Sequence, residues 1–249
     1  MDDDTLLAIC HRVVDVVLPA LEGVKDMGAA GDRSGQYALD LAADRAVLEV
    51  LEAADMGVLS EESGLHRPES PFIAVVDPVD GSTNASRGVP WYATSICVLD
   101  EHGPRVAVVA NLASGVRYQA VRGGGAWRDG IPIAPSGCTD MRRAIVALSG
   151  YPSRHLGWAQ FRAFGAAALE LCAVADGTLD VFSVGGRAHL APWDYLGAML
   201  LCTEAGATIG DLEGRELVTT EFAARRAVAA TATPALMSDL VRAAPLGTT

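Results

Sequence analysis

The stretch FIAVVDPVDGSTN, residues 72–84, ends a run of apolar residues in two aspartates three positions apart. A strand leaving a core needs one turn residue, and this one ends in a cluster. Asp77 and Asp80 at this spacing in a tight turn can face one point and hold a cation. Pro78 fixes φ and stiffens the turn, while Gly81 removes the side chain where a backbone must come close to a ligand. Ser82, Thr83 and Asn84 can open a helix, whose free N–H groups favour a phosphate. Carboxylates for a cation therefore stand beside N–H groups for an anion. Taken singly, the acidic residues also have plainer readings. D-x-x-D-G is a common acidic turn, Glu61 and Glu62 in LSEESG suit a solvated loop, and Asp194 in APWDYLGAMLLCTEAGA suits a helix cap.

The elements that must position these residues are legible from periodicity. Leu6, Leu7, Cys10, Val13, Val14, Val17, Leu18 and Leu21 recur at helical spacing behind an acidic first turn, which predicts a helix over 3–25. Residues 28–35 break the pattern with a small, polar, Gly-containing segment, expected as a mobile loop, and a second helix is predicted over 39–54. From Phe72 the runs FIAVV, ATSICVL, RVAVVANL and VRYQAV, separated by EHGPR, ASG and RGGG, predict an antiparallel meander. After residue 137 the pattern alternates: a strand AIVALS, a helix over WAQFRAFGAAALELCAVADG, a strand LDVFS, a helix WDYLGAMLLCTEAG, strands ATIGD and AVAAT, and a last helix from Pro234. The expected architecture is layered α+β and α/β, with helices on two sheets. Residues 1–136 form an N-terminal lobe with the antiparallel sheet and 137–249 a C-terminal α/β lobe supplying Asp194.

Composition narrows the function. Half of the 249 residues are apolar, enough for a sizeable core, and the formal charge of -12 argues against a nucleic-acid polymer or an anionic membrane as partner. An acidic protein that handles an anion needs its local sign reversed, and divalent cations do this. The acidic start MDDDTLL and the absence of an apolar run of about 18 residues predict a cytoplasmic protein. Cys10, Cys97, Cys138, Cys172 and Cys202 are scattered, without C-x-x-C spacing, and read as buried thiols.

In this order and spacing, LSEESG, DPVDGSTN and PWDYLGAMLLCTEAGA resemble the three motifs of the inositol monophosphatase family, written G-E-E, D-P-[IL]-D-G-[ST]-[ST]-N and W-D-x-A-A-G with a trailing E-A-G. The GGGAWRDGIPI hairpin is similar to a family segment too. The resemblance implies an α-β-α-β-α sandwich, a homodimer, and a Mg²⁺-dependent, lithium-sensitive phosphomonoesterase acting on a small-molecule phosphate ester. It makes Glu61, Asp77 and the Val79 carbonyl ligands of one Mg²⁺, and Asp77, Asp80 and Asp194 ligands of a second; Glu61 touches a weaker third ion. Mn²⁺ suits the same hard oxygen set. In the family a cation-activated water is oriented by a threonine hydroxyl backed by an aspartate, and the matching residues are Ser82 and Asp44, with Glu61 counted among the catalytic groups. Serine keeps the hydroxyl but loses the methyl that restricts its rotamer. Gly81, Ser82 and Thr83 match the phosphate cradle, and Asn84 braces the turn.

The pocket departs from the pattern. Inositol-selective members carry a glutamate seven residues before the W-D aspartate, and DVFSVGGRAHLAPWD has none and is about three residues longer there. Ser183, Arg187 and His189 occupy this region, as either a re-cut specificity pocket or a solvated loop. Ala166 stands where the G-[ST]-A-A helix start has its hydroxyl, and Ala167 follows it beside the substrate's non-phosphate part. Lys25 matches the lysine of the family's metal loop. The pattern therefore predicts a substrate other than inositol 1-phosphate, against the alternatives of a genuine inositol-1-phosphatase or a histidinol-phosphate, nucleoside bisphosphate or sugar-phosphate phosphatase. A non-catalytic metal-binding scaffold is the more distant reading. A glycosidase would need a distinguishable acid and base. A dinucleotide site would need G-x-G-x-x-G opening a helix, and an EF-hand would need D-x-D-x-D-G.

Overall fold

The computed structural model describes residues 1–24, 37–185 and 189–243. The loop expected over 28–35, Lys25 and Arg187 lie outside them. Two helices come first, α1 (Asp3–Glu22) and α2 (Ala38–Ala53), then β1 (Gly57–Ser60), β2 (Gly64–His66), β3 (Ile73–Asp80) and the short α3 (Ser82–Arg87). Strands β4 (Ala93–Asp100), β5 (Gly103–Asn111), β6 (Arg117–Val121), β7 (Gly125–Arg128) and β8 (Ile131–Pro132) follow. After a 3₁₀ turn at Met141–Arg143 come β9 (Ile145–Ser149), β10 (Gln160–Arg162), α4 (Ala167–Ala175), β11 (Val181–Val184), α5 (Pro192–Ala205), β12 (Thr208–Asp211), β13 (Val228–Thr231) and α6 (Pro234–Ala243).

Eight strands form one sheet in the order β2-β1-β3-β4-β5-β6-β7-β8, and five form a second in the order β10-β9-β11-β13-β12. The central strands of the first sheet are apolar without alternation because both faces are covered. Ala74, Val76, Ile96, Val98, Val106 and Val108 face α1 and α2. Their neighbours Val75, Cys97, Ala107 and Val109 face the opposite way, onto α4 and α5. Those two helices fill the space between the sheets and meet Phe182, Val228 and Ala230 of the second. Leu236 and Leu240 of α6 cover its far face at Val146, Val181 and Ala229. The layers therefore run α-β-α-β-α, the sandwich expected.

Two expectations need correction. The first sheet is not only an antiparallel meander: β1 pairs parallel with β3, Ser60 beside Val76, and carries β2 on its outer edge. The helix expected over 158–177 is confined to Ala167–Ala175. Gln160, Phe161 and Arg162 pair instead with Ile145, Val146 and Ala147 as an edge strand, and Gly165 at φ +84° turns the chain where no helix can run.

Helix α5 approaches the first sheet closely enough that Gly197 has no room for a side chain. A Cβ there would stand 2.8 Å from the Ser95 hydroxyl, which donates to the Trp193 carbonyl (3.3 Å), and 3.4 Å from the Ile96 carbonyl. Gly197→Val is expected to cost about 2 kcal/mol through overpacking, read as a lower denaturant midpoint. An unchanged midpoint would mean that the helix–sheet approach is looser than described.

Candidate functional site

The site forms where β3 ends. The pairing of β3 with β4 runs regularly from Ile73 to Asp77, shifts register, and resumes at Asp80. Pro78, which has no N–H to give the ladder, sits in that break. The Thr94 hydroxyl donates to the Pro78 carbonyl (2.8 Å) and the Val79 N–H donates to Asp77 Oδ1 (2.9 Å), so the turn is fixed from both sides. Gly81 follows with φ +87°, and a Cβ on it would meet Ala166 and the Gly165 carbonyl at 3.1 Å. Only glycine satisfies both the dihedral and the space. Asn84 braces the turn as expected, its amide donating to the carbonyls of Trp91 (2.8 Å) and Phe164 (2.7 Å).

Carboxylates converge on this turn from four elements. Oxygens of Glu61, Asp77 and Asp194 all lie within 4.8 Å of one another. Asp80 lies beside this trio, and its Oδ2 receives the Ala168 N–H at the start of α4 (2.7 Å). Asp194 Oδ2 receives the Ala191 N–H (2.7 Å), so it caps α5 and faces the cluster at once. Asp44, on α2, is buried and accepts the hydroxyl hydrogen of Ser60. Ser82 and Thr83 open α3, where the Thr83 hydroxyl meets the Tyr37 hydroxyl at 3.3 Å.

Burial and mutual repulsion act together on these acids. Burial first, then the charges of Asp194 and Glu62, push Glu61 up to about 8. Burial and the neighbouring charges of Glu61, Asp80 and Asp194 hold Asp77 well above the carboxylate range, and Asp77 shares a hydrogen bond with Glu61. Asp80 is pushed to about 8 and Asp194 to about 7, each chiefly by burial. Like charges this close disfavour ionisation unless a cation sits among them. An all-oxygen set of this density fits a hard divalent ion, with the Val79 carbonyl as a further oxygen of the same turn.

The specificity residues are arranged differently from one another. Ala166 caps α4 and Ala167 begins it, behind the Gly81 turn. Ser183 is buried, and its hydroxyl donates to the Val184 carbonyl (3.1 Å). His189 Nε2 lies 3.1 Å from Glu213 Oε1, directed toward the loop after β12. Sequence reading passed over three contributors. Asp40, one helical turn before Asp44, accepts the Tyr37 N–H (2.9 Å) and adds charge near Glu61. Its i, i+4 relation to Asp44 was the available signal. Glu170 is buried, pushed up to about 7 by that burial, and holds the Phe164 N–H (2.7 Å). Arg225, on the strand approach to β13, lies 5.4 Å from the Trp193 ring centroid and offsets a small part of the burial-driven rise at Asp194.

The model of the inositol monophosphatase family matches residues 6–245. A fructose-1,6-bisphosphatase/inositol-1-monophosphatase of Archaeoglobus fulgidus is 33% identical over 232 residues, 89% of this chain and 90% of its own. The Nus factor SuhB of Pasteurella multocida is 31% identical over 195 residues, 71% of each chain. A solved structure from Pyrococcus horikoshii, a hypothetical protein with similarities to inositol-1 monophosphatase, superposes with a TM-score of 0.84 over 97% of both chains. At 23% identity this is a likeness of fold.

The raised carboxyl pKa values set a pH dependence. Glu61, Asp80 and Asp194 lie above their ordinary 4.5, 3.8 and 3.8, so the metal-free folded protein binds more protons than the unfolded chain. Their contribution to stability is complete below about pH 4 and is lost as pH rises through 7 to 8. Metal-free Tm should therefore fall between pH 5 and 8, and saturating Mg²⁺ should raise Tm more at pH 8 than at pH 5. A metal-free Tm that rises across this window, with equal Mg²⁺ increments at both ends, would contradict the arrangement.

Proposed function

The chain belongs to the inositol monophosphatase family, and from that premise we propose that it is a Mg²⁺-dependent phosphomonoesterase whose main substrate is not inositol 1-phosphate. The convergence of Glu61, Asp77 and Asp194 beside Asp80 and the Gly81 turn supports this reading above any other observation. Glu61, Asp77 and the Val79 carbonyl would hold one ion, and Asp77, Asp80 and Asp194 a second. When bound, such ions, or Mn²⁺ in their place, would supply positive charge to neutralise the phosphate and to activate a water.

The chain's own groups do the rest. Backbone N–H groups of Gly81, Ser82 and Thr83 receive phosphate oxygens, in a turn whose shape Gly81 and Asn84 fix. The Ser82 hydroxyl orients the attacking water, and Asp44 backs it from α2. Without the methyl of threonine, Ser82 samples more rotamers, so this orientation depends on its surroundings.

The pocket supports a substrate with a second anionic group. It lacks the glutamate that would accept an inositol hydroxyl, and a site that hydrogen-bonds a hydroxyl discriminates strongly through that contact. Arg225 stands over Trp193 next to Asp194, and Arg187 belongs to the same region by sequence. The Archaeoglobus relative is named for a bisphosphatase activity as well as for inositol 1-phosphate, which points the same way. His189 lies against Glu213, so the anion preference is assigned to the arginines.

Hydrolysis of phosphomonoesters should require Mg²⁺ and cease on chelation, and Asp80→Asn should lower kcat at limiting Mg²⁺ by about 100-fold while the fold persists. Full turnover in excess chelator would rule the proposal out. Across a panel of inositol 1-phosphate, sugar bisphosphates and phosphorylated sugar acids, kcat/KM should be higher for the doubly anionic compounds, and Arg187→Ala or Arg225→Ala should narrow that gap. Inositol 1-phosphate ranking first, with neither substitution changing the order, would overturn the pocket assignment. Mg²⁺ binding without turnover of any phosphate ester would favour a binding role, the reading that the Nus-factor relative suggests.

A further inference from the structure

Ser60 is the last residue of β1 and is fully buried, yet the function described so far gives it nothing to do. It precedes the paired glutamates at the place where the family motif is written with glycine. Its hydroxyl makes two bonds. It donates its hydrogen to Asp44 Oδ1 on α2, 16 residues earlier in the chain, and it accepts the Glu62 N–H at 3.2 Å. The Glu61 N–H between them donates to the Val76 carbonyl (3.2 Å), one residue before Asp77. One hydroxyl thus joins the acid of α2 to the turn that aims Glu61 into the cluster.

A serine bonded only to an N–H two residues on would be an ordinary local turn. The bond to Asp44 is different in kind, because a hydroxyl has one hydrogen and this one is committed to a buried carboxylate. It occupies Asp44 Oδ1 and restrains which way the carboxylate plane lies. We infer that Ser60 is a positioning residue that holds Asp44 and the Glu61–Glu62 turn in a single arrangement, compensating for the rotamer freedom of Ser82. The inference rests on the phosphatase reading for its kinetic consequence and on geometry alone for its structural one.

The test compares wild-type protein with Ser60→Ala, Ser60→Gly, Asp44→Asn and Ser60→Ala/Asp44→Asn. Two readouts are used: kcat and KM on the best phosphomonoester of the panel, and calorimetric titration with Mg²⁺ alone. Ser60→Ala should lower kcat about tenfold through misplacement of the water-orienting groups, with KM within about twofold. Its Mg²⁺ Kd should weaken about threefold, because Glu61 loses a fixed approach. The double variant should be no slower than Asp44→Asn, since the two residues act as one unit. If circular dichroism shows Ser60→Ala misfolded, Ser60→Gly, which puts in the residue that the family motif carries there, is measured with the same expectations. Unchanged kcat and unchanged Mg²⁺ affinity in a folded variant, or losses that multiply in the double variant, would overturn the inference. Absence of turnover in the wild type would instead overturn the phosphatase reading, and the Mg²⁺ titration would still decide whether Ser60 positions Glu61.

Discussion

Repulsion among buried and half-buried carboxylates is the constraint on which the rest of this molecule depends. Glu61, Asp77 and Asp194 place oxygens within 4.8 Å of one another, with Asp80 beside them. Left to themselves, such groups would move apart, take up protons or open to water. Each is instead held by an element that the core immobilises. Asp77 and Asp80 lie on β3, inside an eight-stranded sheet covered on both faces; Asp194 caps α5, buried between the sheets; and Glu61 follows β1, paired with β3. The α-β-α-β-α layering therefore acts as a clamp. Its apolar contacts hold these carboxyl groups at a spacing that protonation or a bound cation relieves.

That clamp explains which parts were legible in sequence. The β3 turn was readable because its chemistry is local: Pro78, Gly81 and two aspartates lie within five residues and each restricts the backbone in a way the next one uses. Asp194, at the start of an apolar helix, reads locally as a cap, and only the order and spacing of the three motifs bring it into the site. The covered central strands were readable as strands because they are apolar throughout, although their two-sided burial appears only when the helices are in place. Strands β1 and β2, of four and three residues, were too short to show a period, and they are defined by pairing with partners outside their own sequence.

Other features were hidden for the same reason. The segment before α4 has helical spacing, but Gly165 and the free edge of β9 turn Gln160–Arg162 into a strand. Glu170 drew no attention in sequence; burial and its bond to the Phe164 N–H make it a brace for the loop that Asn84 also holds. His189 could be placed near the pocket by counting residues, but its partner Glu213 comes from beyond α5. The bond between Ser60 and Asp44 joins a strand end to a helix, and no local pattern announces it.

If these carboxylates are a cation site rather than an acidic turn with two caps, they must take up metal in the crystal. Anomalous diffraction from crystals soaked in Mn²⁺ and inorganic phosphate tests this most directly. One strong peak is expected among the oxygens of Glu61, Asp77 and Asp194 and a second against Asp80, with phosphate density at the Gly81 turn. Crystals that show no peak at Asp77 under saturating Mn²⁺, or peaks only at surface acids, would contradict it.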